Sequence, residues 1–106
     1  MTDSLIDLRE RTRAFAAARD WEQYHTPKNL AMALSVEVAE LAEHFQWLQT
    51  GRVGELALGQ QEAIRHELAD VLLYLVQIAD KLDVDLHAAA LEKIQLNAIK
   101  YPATGG

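Results

Sequence analysis

Two prolines, Pro27 and Pro102, and five glycines, placed at Gly51, Gly54, Gly59 and the last two positions, leave most of this 106-residue chain free of helix breakers. That spacing favours long helices, and no strand signal competes with it. A first helix is expected from a cap at Ser4 to about Arg19, with Leu5, Leu8, Phe15 and several alanines on its apolar side. Residues 20–26 read as a connector. Thr26-Pro27 opens a second helix, Thr capping free amides and Pro sitting where its missing N–H is not needed, and the pattern extends it to about Gln49. Thr50-Gly51 ends it. After a loop to Gly59, a third helix spans about Gln60 to Leu82, and a fourth, capped by Asp85, runs to about Lys100 and stops before Pro102. Thr104-Gly105-Gly106 reads as a frayed tail. The expected fold is one all-α domain over residues 1–106, a four-helix bundle with short connections.

Half of the residues are hydrophobic, yet a chain of 106 residues buries only a modest core. The stretch Val71 to Ala79 is apolar on more than one face, so it needs cover from several sides. One small bundle offers few neighbours, and an oligomer is therefore expected. Sixteen acidic against ten basic residues give a net charge of −6. This balance argues against non-specific binding to a nucleic acid polymer or an anionic membrane through a basic surface, while leaving small anions held through a metal. The lack of cysteine rules out disulfides, thiolate catalysis and Cys-type zinc sites, and it fits a cytoplasmic protein. Met1-Thr2-Asp3-Ser4 begins no signal peptide, and no apolar run approaches the roughly 18 residues that span a bilayer. A soluble protein is the expectation.

The charges that matter most sit where the helical pattern wants apolar residues. Leu30, Leu34, Leu41 and Leu48 fall within about 40° on the helical wheel, and Glu37 lies about 20° to one side of them. Glu37 therefore faces inward, with Glu40 three residues on. The third helix repeats the device, for Glu67 and Asp70 are again three apart and Glu67 lies within about 60° of Ile64, Val71 and Ile78. Four inward acids on facing helices repel one another unless something compensates. A hard divalent cation does so, and oxygen-only ligation without Cys or a convincing His favours Mg²⁺ or Mn²⁺ over zinc. The plainer alternatives are a solvated Glu-x-x-Glu, of which Glu40-Leu41-Ala42-Glu43 is another instance, and pairing of the acids with basic residues across the bundle.

The fourth helix carries the best basic candidates. Lys93, Asn97 and Lys100 project within about 60° of one another. They could neutralise the acids, grip the oxygens of a polyphosphate, or form a solvated face near a helix C-terminus, where Lys suits the macrodipole. Tyr74, one turn after Asp70, could donate to a carboxylate or phosphate, or simply fill core. Phe45 reads as core, Trp21 lies in the connector and Trp47 points away from the apolar stripe. His25 could touch a ligand.

Taken in order, Phe15-Ala16-Ala17-Ala18-Arg19-Asp20-Trp21-Glu22-Gln23-Tyr24-His25-Thr26-Pro27-Lys28-Asn29-Leu30, Glu37-Val38-Ala39-Glu40-Leu41-Ala42-Glu43, Phe45-Gln46-Trp47, Glu67-Leu68-Ala69-Asp70-Val71-Leu72-Leu73-Tyr74, and Lys93 with Asn97, Lys100, Tyr101 and Pro102 carry a resemblance. Nearly the whole chain resembles the all-α nucleoside triphosphate pyrophosphohydrolases, the MazG-like superfamily, and within it the chain looks closest to the dCTP pyrophosphatases. The resemblance implies Mg²⁺-dependent hydrolysis of a deoxynucleoside triphosphate, dCTP or a 5-modified dCTP, to monophosphate and pyrophosphate. It implies metal binding by Glu37, Glu40, Glu67 and Asp70, with Glu37 or Glu40 orienting or deprotonating the attacking water. Lys93, Asn97, Tyr74 and Lys100 would then serve the phosphates, and Trp21 and Trp47 would enclose the base. It further implies a homotetramer, a dimer of dimers with sites between subunits.

Three departures accompany the resemblance. Thr12 stands where vertebrate-type members are expected to carry a base-contacting His, Lys100 stands where Arg is frequent, and the loop of residues 50–59 is shorter. The first bears on the base, so dUTP or a broader set of triphosphates is the competing enzyme reading. A di-iron carboxylate bundle wants Glu-x-x-His pairs on its core, whereas Glu22 and His25 fall in the connector. A non-catalytic helical interaction module would have no activity to lose on substitution of Glu37.

Overall fold

The computed structural model describes residues 4–103. They form four helices, α1 (Ser4–Ala18), α2 (Pro27–Glu43), α3 (Leu58–Lys81) and α4 (Leu86–Lys100), with short 3-10 turns at Glu22–Tyr24 and Val53–Glu55 and no strand among the described residues. None of the helices is long and apolar enough to cross a membrane. The all-α expectation holds, and Thr104-Gly105-Gly106 lies outside the described residues.

The local chemistry explains most of the boundaries. Thr26 caps α2 by accepting from the Asn29 amide at 3.2 Å, with Pro27 in the first turn. Asp85 caps α4 by accepting from the Ala88 amide at 3.0 Å. Ser4 is itself helical rather than the residue ahead of the first helix. Helices α1 and α3 end by one device. Asp20 and Asp83 both take a φ of 55°, and the amides beyond them turn back to close the helix, Trp21 to Ala16 at 3.0 Å and Val84 to Ala79 at 2.8 Å. This is the Schellman closure, with Asp in the left-handed position that glycine usually takes.

Helix α2 stops at Glu43, six residues before the expected Gln49. Apolar periodicity runs on through Phe45 and Leu48, but tertiary contacts use those residues differently. Phe45 bonds back to Ala42 and Leu48 to Phe45, each at 3.0 Å, in tight turns. The Gln60 side chain takes the His44 carbonyl at 3.0 Å and so closes the open end of α2 from the first turn of α3. The loop is then held by Glu55, whose carboxylate accepts from the Gly51 amide at 2.6 Å and the Thr50 amide at 3.2 Å. Those amide bonds hold the Glu55 carboxyl below its ordinary range. Gly51 is required, because its φ is +75° and an added Cβ would meet the Phe45 ring at 2.7 Å.

Helix α3 is the spine, with α2 and α1 packed along it. The buried core is Leu30 from α2, Ala16 from α1, and Ile64, Val76 and Ala79 from α3. Across the α1–α3 seam, the Arg13 guanidinium bonds Asp80 through both of its arms, one contact being Nε to Oδ2 at 2.8 Å. In the single chain α4 buries no residue, and Leu91, Ile94, Leu96 and Ile99 are all exposed. The four helices are therefore present, but only the first three are packed together as a bundle packs.

Candidate active site

Helix α2 contributes Glu37 and α3 contributes Glu67 and Asp70, one turn apart. Carboxylate oxygens of these three lie within 4.8 Å of one another. Glu37 and Glu67 are half-buried and Asp70 is exposed. The Oε2 atoms of Glu37 and Glu67 are buried without a hydrogen-bond partner. Two orphaned anionic oxygens side by side are costly in a folded chain. The cross-helix pairing that might have relieved them goes elsewhere, with Arg13 on Asp80.

The strain shows in the proton affinity of Glu37, which is pushed up to about 7. The largest cause is the adjacent Glu67 carboxyl, which can share a hydrogen bond with Glu37 only while a proton is present. Burial adds to it, followed by the negative charges of Glu40, Asp70 and Glu67. A cluster that would rather hold a proton will also hold a cation, and all-oxygen donors suit a hard divalent ion. Glu40 is exposed and outside the group of three. It lies close enough to bear on Glu37 but does not converge with it.

Beside the acids is a cavity of about 480 Å³ between α1, the connector and α3, and Asp70 is part of its lining. Tyr74 lines it one turn further on. Burial, then the charges of Glu37 and Asp70, raises the Tyr74 phenol above its ordinary value, so the hydroxyl keeps its proton. An aromatic wall faces it. Phe15 and Trp21 meet edge to face with centroids 5.8 Å apart, Trp21 and His25 do so at 6.1 Å, and the Arg19 guanidinium lies 3.5 Å over the Phe15 ring. The closure at Asp20 builds this wall, because the bond from Trp21 back to Ala16 turns the indole toward α1. The Asn29 side chain then pins the connector by donating to the Tyr24 carbonyl at 2.9 Å.

Of the expected site residues, the structure brings together Glu37, Glu67, Asp70, Tyr74 and Trp21. Trp47 is 88% exposed and does not line the cavity. Lys93, Asn97 and Lys100 are exposed on α4 and pair with none of these acids among the described residues. Arg11 and Gln77 line the cavity without having been singled out by the sequence, and His25, a possible ligand contact, lines it too. A signal existed for α1, where Leu8, Arg11, Thr12 and Phe15 follow helical spacing, so its inward face carries polar groups.

Comparison with known proteins adds a family and relatives. The chain matches the MazG-like family over residues 32–106. It is 48% identical over 102 residues to dCTP pyrophosphatase 1 of Homo sapiens, covering 94% of this chain and 60% of that protein. For dCTP pyrophosphatase 1 of Mus musculus the identity is 46% over 101 residues, covering 93% and 59%. The chain thus spans about 60% of the length of the curated relatives it matches. Among solved structures, a pyrophosphatase from Archaeoglobus fulgidus is similar with a TM-score of 0.84 at 36% identity, over 97% of this chain and 96% of that one.

Proposed function

The chain belongs to the MazG-like family, and we propose that it is a homo-oligomeric, Mg²⁺-dependent enzyme that hydrolyses dCTP, or a 5-substituted dCTP, to the monophosphate and pyrophosphate. The observation that carries this reading is the double placement of Asp70, at once one of three converging acids and part of the lining of an aromatic-walled cavity. A polyphosphate at the acids would have its nucleoside in the cavity. The names of the relatives, dCTP pyrophosphatase 1 in Homo sapiens and Mus musculus, point to the same substrate.

In this mechanism Glu37, Glu67 and Asp70, with Glu40 a turn away, would hold the metal. When bound, Mg²⁺ neutralises the acids and offsets the charge that gathers on the triphosphate as it reacts. Glu37 or Glu40 orients water and takes its proton. The water oxygen bonds to the α-phosphorus, the bond from that phosphorus to the α,β-bridging oxygen breaks, and pyrophosphate departs with the electron pair. Tyr74, protonated at neutral pH, donates to a phosphate oxygen. Trp21, braced by Phe15 and His25, stacks on the base.

Lys93, Asn97 and Lys100 bind phosphate oxygens, and Trp47 covers the base, from a neighbouring copy in a dimer of dimers. Exposed apolar stripes support that assembly, with Leu68, Leu72 and Leu75 on α3 and Ile94 and Ile99 on α4. Residues 1–106 then act as a MazG-like domain in the cytoplasmic nucleotide pool. The test is pyrophosphate release with Mg²⁺ from a panel of canonical and 5-modified triphosphates, wild type beside Glu37→Ala. Equal rates across the panel would remove the cytosine assignment, and activity undiminished in Glu37→Ala would remove the mechanism.

A further inference from the structure

The α3 face that carries Asp70 and Tyr74 continues along the cavity to Gln77. At about 1.5 Å per residue Gln77 is about 10 Å beyond Asp70, a distance comparable to one nucleoside. Its side chain is half-buried, and Nε2 donates to the Leu73 carbonyl at 3.1 Å. Only the amino end of the amide can make that bond, since the reversed amide would press Oε1 against a carbonyl oxygen. Oε1 is therefore the end left for a ligand, and it can only accept.

Thr12 of α1 lines the same cavity. Its hydroxyl donates to the Arg9 carbonyl at 2.9 Å, which uses its single proton and leaves Oγ1 as an acceptor. Two half-buried acceptors thus line one cavity. A ligand that brings an amino group there satisfies them, and one that brings a carbonyl oxygen sets lone pairs against lone pairs. Pyrimidines differ at this point, cytosine bearing an amino donor on C4 and uracil or thymine an oxygen.

We propose that Gln77, with Thr12, selects the base by accepting hydrogen bonds from the 4-amino group of cytosine, so that 4-oxo pyrimidines are turned away. The assignment rests on reading the cavity as the nucleoside site. Trp21 supplies stacking that any base would enjoy, and Gln77 and Thr12 supply the discrimination.

The experiment compares dCTP with dUTP in the full chain with Mg²⁺. It measures kcat/KM, and also calorimetric binding of the non-hydrolysable α,β-imido analogues. Gln77→Met keeps the length and loses the acceptor, Thr12→Val keeps the shape and loses it, and Thr12→Ser retains it. The dCTP-to-dUTP ratio is expected to fall about tenfold in Gln77→Met and to fall in Thr12→Val, while Thr12→Ser keeps the wild-type ratio. A structural role alone would lower both substrates together. If wild type hydrolyses dCTP and both acceptor-deleting variants keep its ratio, the proposal is overturned and the proposed activity stands. If wild type binds the dCTP analogue preferentially without hydrolysis, and Gln77→Met abolishes the preference, the proposal holds and the proposed activity fails. Absence of both binding and hydrolysis overturns both.

Discussion

The α2–α3 face and the α4 face are built from the same kind of sequence signal, polar residues at helical spacing, and the single chain treats them in opposite ways. Glu37, Glu67 and Asp70 converge to within 4.8 Å, two of them half-buried. Lys93, Asn97 and Lys100 stay exposed on a helix that buries nothing. The difference lies in packing. Helix α3 lies against α2 with Leu30 and Ile64 buried in the core, so its acids are carried inward with the apolar stripe. Helix α4 has no such partner in the chain. In the proposed enzyme the acid cluster would therefore be preformed by one copy, and the residues that grip the phosphates would come from a second.

Substitutions can break that contrast. Asp70→Asn is expected to lower pyrophosphate release by at least about 100-fold, since even outer partners of metal ligands cost 10–100-fold. Lys93→Ala should lose less, and without any loss of Mg²⁺ binding by calorimetry. Equal loss of Mg²⁺ binding in both would show that the two faces are one site within one chain. For stability, Leu30→Ala should cost about 3 kcal/mol in urea unfolding. Ile94→Ala should cost under about 0.5 kcal/mol if α4 is as free in solution as in the single chain. A larger cost that grows with protein concentration would mean that a second copy covers it.

A gentler probe is pH. Glu37 is raised from 4.5 to about 7, so the folded chain binds more protons than the unfolded one across that window. The metal-free protein should therefore lose stability as pH rises from about 4.5 to about 7, and stay at the lower level above it. The gain in Tm from Mg²⁺ should be larger at pH 8 than at pH 5, and thermal melts with and without EDTA measure it. The Asp80 carboxyl runs the other way. Held low first by its hydrogen bond to Arg13, it contributes stability above its unfolded pKa that is lost as pH falls through the folded value. A comparably small effect, of opposite sign, is expected at the end of α3, where Asp83→Gly should relieve the left-handed backbone and stabilise by about 0.5 kcal/mol.

Much of the architecture was readable from breakers and caps. Thr26-Pro27 and Asp85 mark helix starts because their chemistry is local. The end of α2 was not readable, because it is set by Gln60 reaching the His44 carbonyl and by Phe45 lying against Gly51, contacts that exist only once the loop between α2 and α3 has folded back. The acid cluster was legible as periodicity, since an acid on an apolar stripe has few places to go. The cavity was not, because it needs Trp21 swung back by the turn at Asp20 and a polar face of α1 laid along α3. The grip of Glu55 on two amides is visible only once the loop is closed.

Asp70 has a further consequence. Because one side chain belongs to both the acid cluster and the cavity, a cation and a nucleotide in the proposed enzyme would not bind as strangers. Whatever factor the cation adds to nucleotide affinity, the nucleotide must return to the cation, whichever arrives first. Free enzyme in dilute Mg²⁺ would then be sparsely loaded, and substrate itself would recruit the ion. The Asp70→Asn chain should lose that reciprocity as well as its turnover.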